Sequence, residues 1–160
     1  MLLVHFQHFC LPARMFAVQL TNRPDPRDRN QAMVSLQHWA AASLVYRVAG
    51  IAQLAETVLH DPAVRDLRRK VVAITDPAVG REAASARVVL KGGETVAAQV
   101  LHCRGSVGRP MTDADITDKT RAQLRIVYPD AAVEQILAEC WRIEKYPQVD
   151  LFSKRLRLSA

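Results

Sequence analysis

Two adjacent glycines, Gly92 and Gly93, stand between two apolar runs at residues 84–91 and 94–102. This pattern predicts a β-hairpin with a two-residue type I′ turn, because both central positions of that turn need positive φ. Lys91 and Glu94 then face each other as a weakly favourable cross-strand pair. A hairpin commits the chain to an antiparallel sheet. Two further strand patterns, at residues 13–20 and 70–75, are candidates to join it. Both faces of the hairpin carry apolar residues, so the pattern leaves open which one packs inward.

Helical patterns surround this sheet. From about residue 30 to 46, Ala32, Leu36, Trp39, Ala40, Ser43 and Leu44 recur at three- and four-residue steps. Gly50 closes the region, as glycine past a helix end often does. A short helix is expected at 51–58. Asp61-Pro62 starts another, since the Asp side chain accepts first-turn N–H groups and Pro at the first helical position loses no bond. Arg65, Arg68, Arg69 and Lys70 fall towards its end, where the helix dipole favours cations. After the loop at 103–110, Thr112 and Asp115 form a capping box for a helix over 113–124. Pro129-Asp130 opens the next, with Val133, Ile136, Leu137 and Cys140 on one stripe, and a last helix is expected at 149–156. The order β-α-α-α-β-β-β-α-α-α predicts an α+β fold: a mainly antiparallel sheet of about four strands, helices on one face, then C-terminal helices. Residues 1–10 form an N-terminal segment, 11–111 the α+β domain and 112–160 a helical extension.

Composition narrows the class. With 49% apolar and 24% charged residues in 160, the chain can bury a core, and 6 Gly, 8 Pro and 3 Cys exclude collagen-like or disulfide-dense scaffolds. No uncharged apolar run reaches the roughly 18 residues of a membrane span. The N-terminus lacks a basic region and a small-residue cleavage site, and Cys10, Cys103 and Cys140 are an odd set without CxxC spacing. Free thiols and no leader make the cytoplasm the default compartment. The net charge is +6. Its excess is spread among acids, as in Arg23, Arg27 and Arg29 with Asp25 and Asp28, or Arg65, Arg68, Arg69 and Lys70 with Asp66. A short basic tail, Lys154, Arg155 and Arg157, completes it. These are read as solvated faces; no nucleic-acid partner and no membrane partner are expected.

Few residues carry chemistry on pattern alone. Lys91-Gly92-Gly93 is no phosphate loop. His5 with His8, and His102 beside Cys103, lack a third ligand at zinc spacing, so no metal is expected. Ser35 and Ser106 stand in no triad motif. His38 beside Trp39 is read as a half-buried packing residue, and Cys140 as a core thiol. The most site-like stretch is Arg104-Gly105-Ser106. Arg forks onto a carboxylate, while Gly and Ser let backbone and hydroxyl donors approach an anion.

An ordered set of segments over residues 11–158 resembles the C-terminal part of the MmgE/PrpD family, which includes 2-methylcitrate dehydratase, cis-aconitate decarboxylase and iminodisuccinate epimerase. It begins with Val18-Gln19-Leu20-Thr21-Asn22-Arg23-Pro24-Asp25-Pro26 and continues through Ser35-Leu36-Gln37-His38-Trp39-Ala40-Ala41-Ala42-Ser43-Leu44. Gly50-Ile51-Ala52-Gln53-Leu54, Asp61-Pro62-Ala63-Val64-Arg65-Asp66-Leu67 and the strand from Ala86 to Leu90 follow. It ends with His102-Cys103-Arg104-Gly105-Ser106 and Pro110-Met111-Thr112-Asp113-Ala114-Asp115. The resemblance implies a smaller α+β lid that completes a large all-helical domain. The implied chemistry is carbon–hydrogen cleavage beside a carboxylate, then loss of water, loss of carbon dioxide or reprotonation, with no cofactor.

The family's acid–base residues lie mainly in the helical domain and just before the first strand, so no catalytic residue is expected among these 160. Substrate contacts are expected from Arg104, Gly105 and Ser106. In the glycine loop, Val107 and Arg109 stand where the family usually has Pro and Asn. The expectation is a truncated lid with little activity alone, taking a small carboxylate substrate only when completed by a helical-domain protein. The competing expectation is a non-catalytic binding or oligomerisation module. An exposed docking surface would favour homo-oligomers. It would also leave Val133, Ile136, Leu137 and Cys140 less covered than the helix over 36–44.

Overall fold

The computed structural model describes the backbone of residues 9–13 and 15–155 and the side chains of residues 18–154. His5, His8, the Cys10 thiol, Arg155 and Arg157 lie outside what is described. The chain divides into two compact units, residues 1–109 and 110–160.

The first unit is α+β. Of the strands expected, β2 (Val71–Thr75), β3 (Ala84–Val89) and β4 (Thr95–Val100) form, and β3 and β4 pair antiparallel. The strand expected at 13–20 does not. Met15–Thr21 is a helix, α1, and strand β1 lies earlier, at Phe9–Ala13. A short apolar run such as MFAVQL satisfies either period, and packing decides. β1 pairs parallel with β2 and antiparallel with β3, giving the order β2-β1-β3-β4. Its ladder to β3 ends at Cys10, so Pro12 sits beyond that pairing. A strand containing proline reads poorly from sequence for that reason.

The helices are shorter than their patterns. The one expected over 30–46 is broken into α2 (Arg29–Met33) and α3 (Leu36–Tyr46), because Ser35 caps a new start by accepting from the His38 N–H at 3.0 Å. The left-handed residue ending α3 is Arg47 (φ 56°), while Gly50 is extended. Ile51–Leu54 is a 3₁₀ turn, followed by α4 (Glu56–Leu59). In α5 (Pro62–Arg68), Asp61 accepts from the Ala63 N–H at 2.8 Å, with Pro at the start as expected.

One face of the sheet is covered. α3 packs on α5 and on β2. Ala41 and Ala42 of α3, Val58, Val64 and Leu67 make one core with Val71 of β2 and Val88 of β3. Each such side chain contributes about 1.5–3 kcal/mol when fully buried, somewhat less for alanine. Val72 and Ile74 alternate with Val71 to the other side and are exposed.

The hairpin turn differs from the two-residue form. Gly93 is left-handed (φ 84°) and Gly92 is not. The Gly93 N–H donates to Leu90 O and the Leu90 N–H to Glu94 O, so the connection is a three-residue loop with a bulge at Gly93. Leu90, not Lys91, therefore faces Glu94.

The second unit holds α6 (Asp113–Leu124), α7 (Asp130–Cys140) and α8 (Val149–Arg155). The Thr112–Asp115 capping box is complete in both directions, at 3.2 and 3.0 Å. Arg121 of α6 grips Glu134 of α7 through Nε at 2.6 Å and Nη2 at 3.1 Å. The expectation of a less covered stripe on α7 fails: Val133, Ile136 and Leu137 are buried like the α3 alanines. Cys140, expected in the core, is exposed. Among the described residues, no helix is long and apolar enough to cross a membrane.

Candidate functional site

The loop from His102 to Pro110 turns back on itself through its own backbone. The Gly105 N–H donates to Arg109 O at 2.8 Å, the Ser106 N–H to Cys103 O at 3.1 Å and the Arg109 N–H to Ser106 O at 3.1 Å. Gly105 is left-handed (φ 90°), which glycine adopts without a Cβ penalty. The Cys103 N–H, donating to Glu82 O at 2.9 Å, anchors the loop to the turn before β3.

This geometry revises the roles drawn from composition. The N–H groups of Gly105 and Ser106 close the loop itself, so they are not turned outward as an anion cradle. Ser106 Oγ is buried and completes no hydrogen bond. It lies close enough to Glu82 to favour its carboxylate. Arg104 lies on the surface of the loop.

The unforeseen member is Glu82. Its Oε2 accepts from His102 Nδ1 at 3.2 Å. His102 first, and Ser106 second, hold the Glu82 carboxyl below its usual range. Glu82 lies in an irregular turn, where no sequence period marks it. Gly108 completes the arrangement: a Cβ there would come within 2.4 Å of His102 Nδ1. Gly108→Ala is expected to swing the half-exposed imidazole off Glu82 with little effect on stability, since a surface pair is worth little. Loss of the His102–Glu82 contact in imidazole NMR, with a nearly unchanged melting temperature, is the expected reading.

A second cluster links the segments that carry the family resemblance. Gln37, buried on α3, donates to Asn22 Oδ1 at 2.6 Å and accepts from the Arg23 N–H at 3.1 Å. Ser35 Oγ, also buried, donates to Arg23 O at 2.6 Å. His38 Nε2 bonds Gln53 O at 2.8 Å, and its Nδ1 is buried without a partner. Burial, more than the charge of Arg68, pushes the His38 pKa down, so the ring is neutral. Arg68 is buried, with Nη2 on Asp25 Oδ1 at 3.2 Å. Ser35, Gln37 and Arg68 hold loop 22–28 to α3 and α5, while His38 ties α3 to the 3₁₀ turn at Gln53. His38, Ser35 and Gln37 are therefore structural, as the packing reading of His38 expects, although the ring is wholly buried.

Two further features bear on chemistry. Among the described residues, no three His, Cys, Asp or Glu side chains gather as a metal site. An open apolar depression of about 410 Å³ lies between α2 and α3, lined by Met33, Val34, Leu36, Trp39 and Ala40. Thr21 and Ser43 add two hydroxyls to its lining, with no cation among the described lining residues to hold a carboxylate.

The α+β unit, its glycine loop and the capped helices beyond it are the features of one domain class. The MmgE/PrpD C-terminal domain family matches over residues 13–143. The chain belongs to that family. A comparison with curated proteins gives no match.

Proposed function

We propose that this chain serves as the lid of an MmgE/PrpD-type lyase or isomerase acting on small di- or tricarboxylates by dehydration, decarboxylation or epimerisation. The match over residues 13–143 carries the reading. An all-helical domain, on the same or a separate polypeptide, supplies the base. Such reactions need a general base of suitable pKa and cationic groups for the carboxylates. His38 is buried and structural, so it does not stand ready as that base; His102, bonded to Glu82 through Nδ1, is the first residue to replace if the chain alone turns over substrate. Arg104, on the loop surface, is the residue for carboxylate binding. Gly105 shapes the loop, and Ser106 acts through Glu82 rather than on the substrate. Exposed thiols at Cys103 and Cys140 support a reducing compartment, in keeping with the cytoplasm.

The chain alone is expected to leave 2-methylcitrate, cis-aconitate and iminodisuccinate unchanged above background. Mixed with a homologous helical domain, it should support turnover, and Arg104→Ala should then raise KM by about tenfold, the loss of one charge-assisted contact. Robust turnover by the chain alone overturns the lid reading.

One observation favours a second reading, a non-catalytic binding or oligomerisation module. Val133, Ile136 and Leu137 are covered without any second domain, which is what a self-sufficient module requires. Failure of the helical domain to bind the chain in the same experiment would select it.

A further inference from the structure

We propose that β4 is a self-association strand that pairs antiparallel with β4 of a second copy, across a two-fold axis at Ala97. The proposal stands whether or not the chain serves as a lid. β4 is the last strand of the order β2-β1-β3-β4, and among the described residues it pairs with β3 alone. All six of its residues, Thr95 to Val100, are exposed. None is charged and none is proline. Edge strands are usually protected by lysine, proline or a covering element, and a bare one is a template for another strand.

The hairpin fixes which backbone groups are available. The Leu90 N–H donates to Glu94 O, so the hydrogen-bonded pairs alternate from there: Leu90–Glu94, Val88–Val96, Ala86–Ala98 and Ala84–Val100. Thr95, Ala97 and Gln99 consequently direct their N–H and C=O groups away from β3. A two-fold axis at Ala97 sets Ala97 opposite its counterpart and Thr95 opposite Gln99 of the copy. Each outward-facing residue then meets another outward-facing residue, and six N–H···O bonds close. A shift of one residue would oppose outward groups to inward ones. The six residues bring no like charges together, and Thr95 and Gln99 can bond through their side chains.

The side chains support the same register. Val96 pairs with Val88, so it shares the core face, yet it is 49% exposed, and Val100 on that face is 41% exposed. The core formed by α3 and α5 includes Val88 but neither of these valines. In the paired sheet, the row Val88–Val96 continues into Ala98 and Ala86 of the copy, which covers Val96, while Val100 lies opposite Glu94 of the copy. The strand pair is a small interface, so the dimer is weak and concentration-dependent.

Amide hydrogen exchange on the full chain, over about a hundredfold range of concentration, tests the register. Val96, Ala98 and Val100 should be protected throughout by their bonds to β3. Thr95, Ala97 and Gln99 should become protected only as concentration rises, while the sedimenting mass moves from one chain to two. Ala97→Pro, which removes the central outward donors, should weaken association at least tenfold while the inward amides stay protected. Ala97→Lys, exposed in the single chain and self-opposed in the dimer, is the second variant should proline disturb the hairpin. Free exchange at Thr95, Ala97 and Gln99 at every concentration overturns the proposal. So does a mass that stays at one chain or grows past two, or association unaffected by Ala97→Lys.

Discussion

Asp25→Ala should destabilise the chain by about 1–2 kcal/mol, although the Asp25 side chain is 78% exposed. The effect comes from the partner. Arg68 is buried, and burial pushes its pKa down first; Arg65 and Arg69 push it further. Asp25 is the anion that opposes them. Without it, the guanidinium keeps, among the described residues, a long contact of 3.5 Å to Leu59 O. Solvent screening of the exposed carboxylate holds the loss below that of a wholly buried pair. Arg68→Met keeps the apolar stem and removes the charge. The double variant Asp25→Ala/Arg68→Met should therefore be more stable than Asp25→Ala alone, a non-additivity readable from urea midpoints. A double variant whose losses simply add would show that Asp25 holds loop 22–28 in some other way.

Acidification should weaken the fold through His38. Its pKa lies below the ordinary 6.5 in the folded chain. The unfolded chain thus takes up the proton first as pH falls. The stability that His38 confers is complete above pH 6.5 and is lost progressively as pH drops from there towards the folded value. His38→Gln keeps an Nε2–H donor for Gln53 O and cannot titrate. Urea titrations at about pH 7 and about pH 5 should show a smaller difference for His38→Gln than for the parent chain. Equal slopes in the two proteins would assign the acid sensitivity to other groups.

Features written in local chemistry were legible in the sequence. Asp61-Pro62, Thr112 with Asp115 and Pro129-Asp130 start helices where expected, since capping needs only neighbours along the chain. The hairpin was legible too, but not its turn: a glycine pair satisfies a three-residue loop with one left-handed position as readily as a type I′ turn. β1 and α1 differ from the expected strand at 13–20 because a short apolar run carries no decisive period, and a proline such as Pro12 masks a strand. In the glycine loop, Arg104, Gly105 and Ser106 were singled out by type. Glu82, which bonds His102 and anchors the loop at Cys103, lies 20 residues before His102, and no spacing rule joins them. The same holds for Arg68 and Asp25, 43 residues apart: a buried arginine looks like a solvated one until the loop that covers it is placed.

Loop 22–28, with two prolines and alternating charges, has the composition of a linker, yet side chains from three elements clasp it. Gln37 and Ser35 take both polar groups of the Arg23 backbone, Arg68 takes Asp25, and Asp28 accepts from the Gln31 N–H at 2.9 Å as the cap of α2. Protein engineers place tags and labels in stretches of this composition, because surface loops usually tolerate inserted sequence. Here an insertion would separate the anchors of the first unit from one another. The tip at Gly92, where an added Cβ would meet nothing within 4 Å, is the better site for foreign sequence.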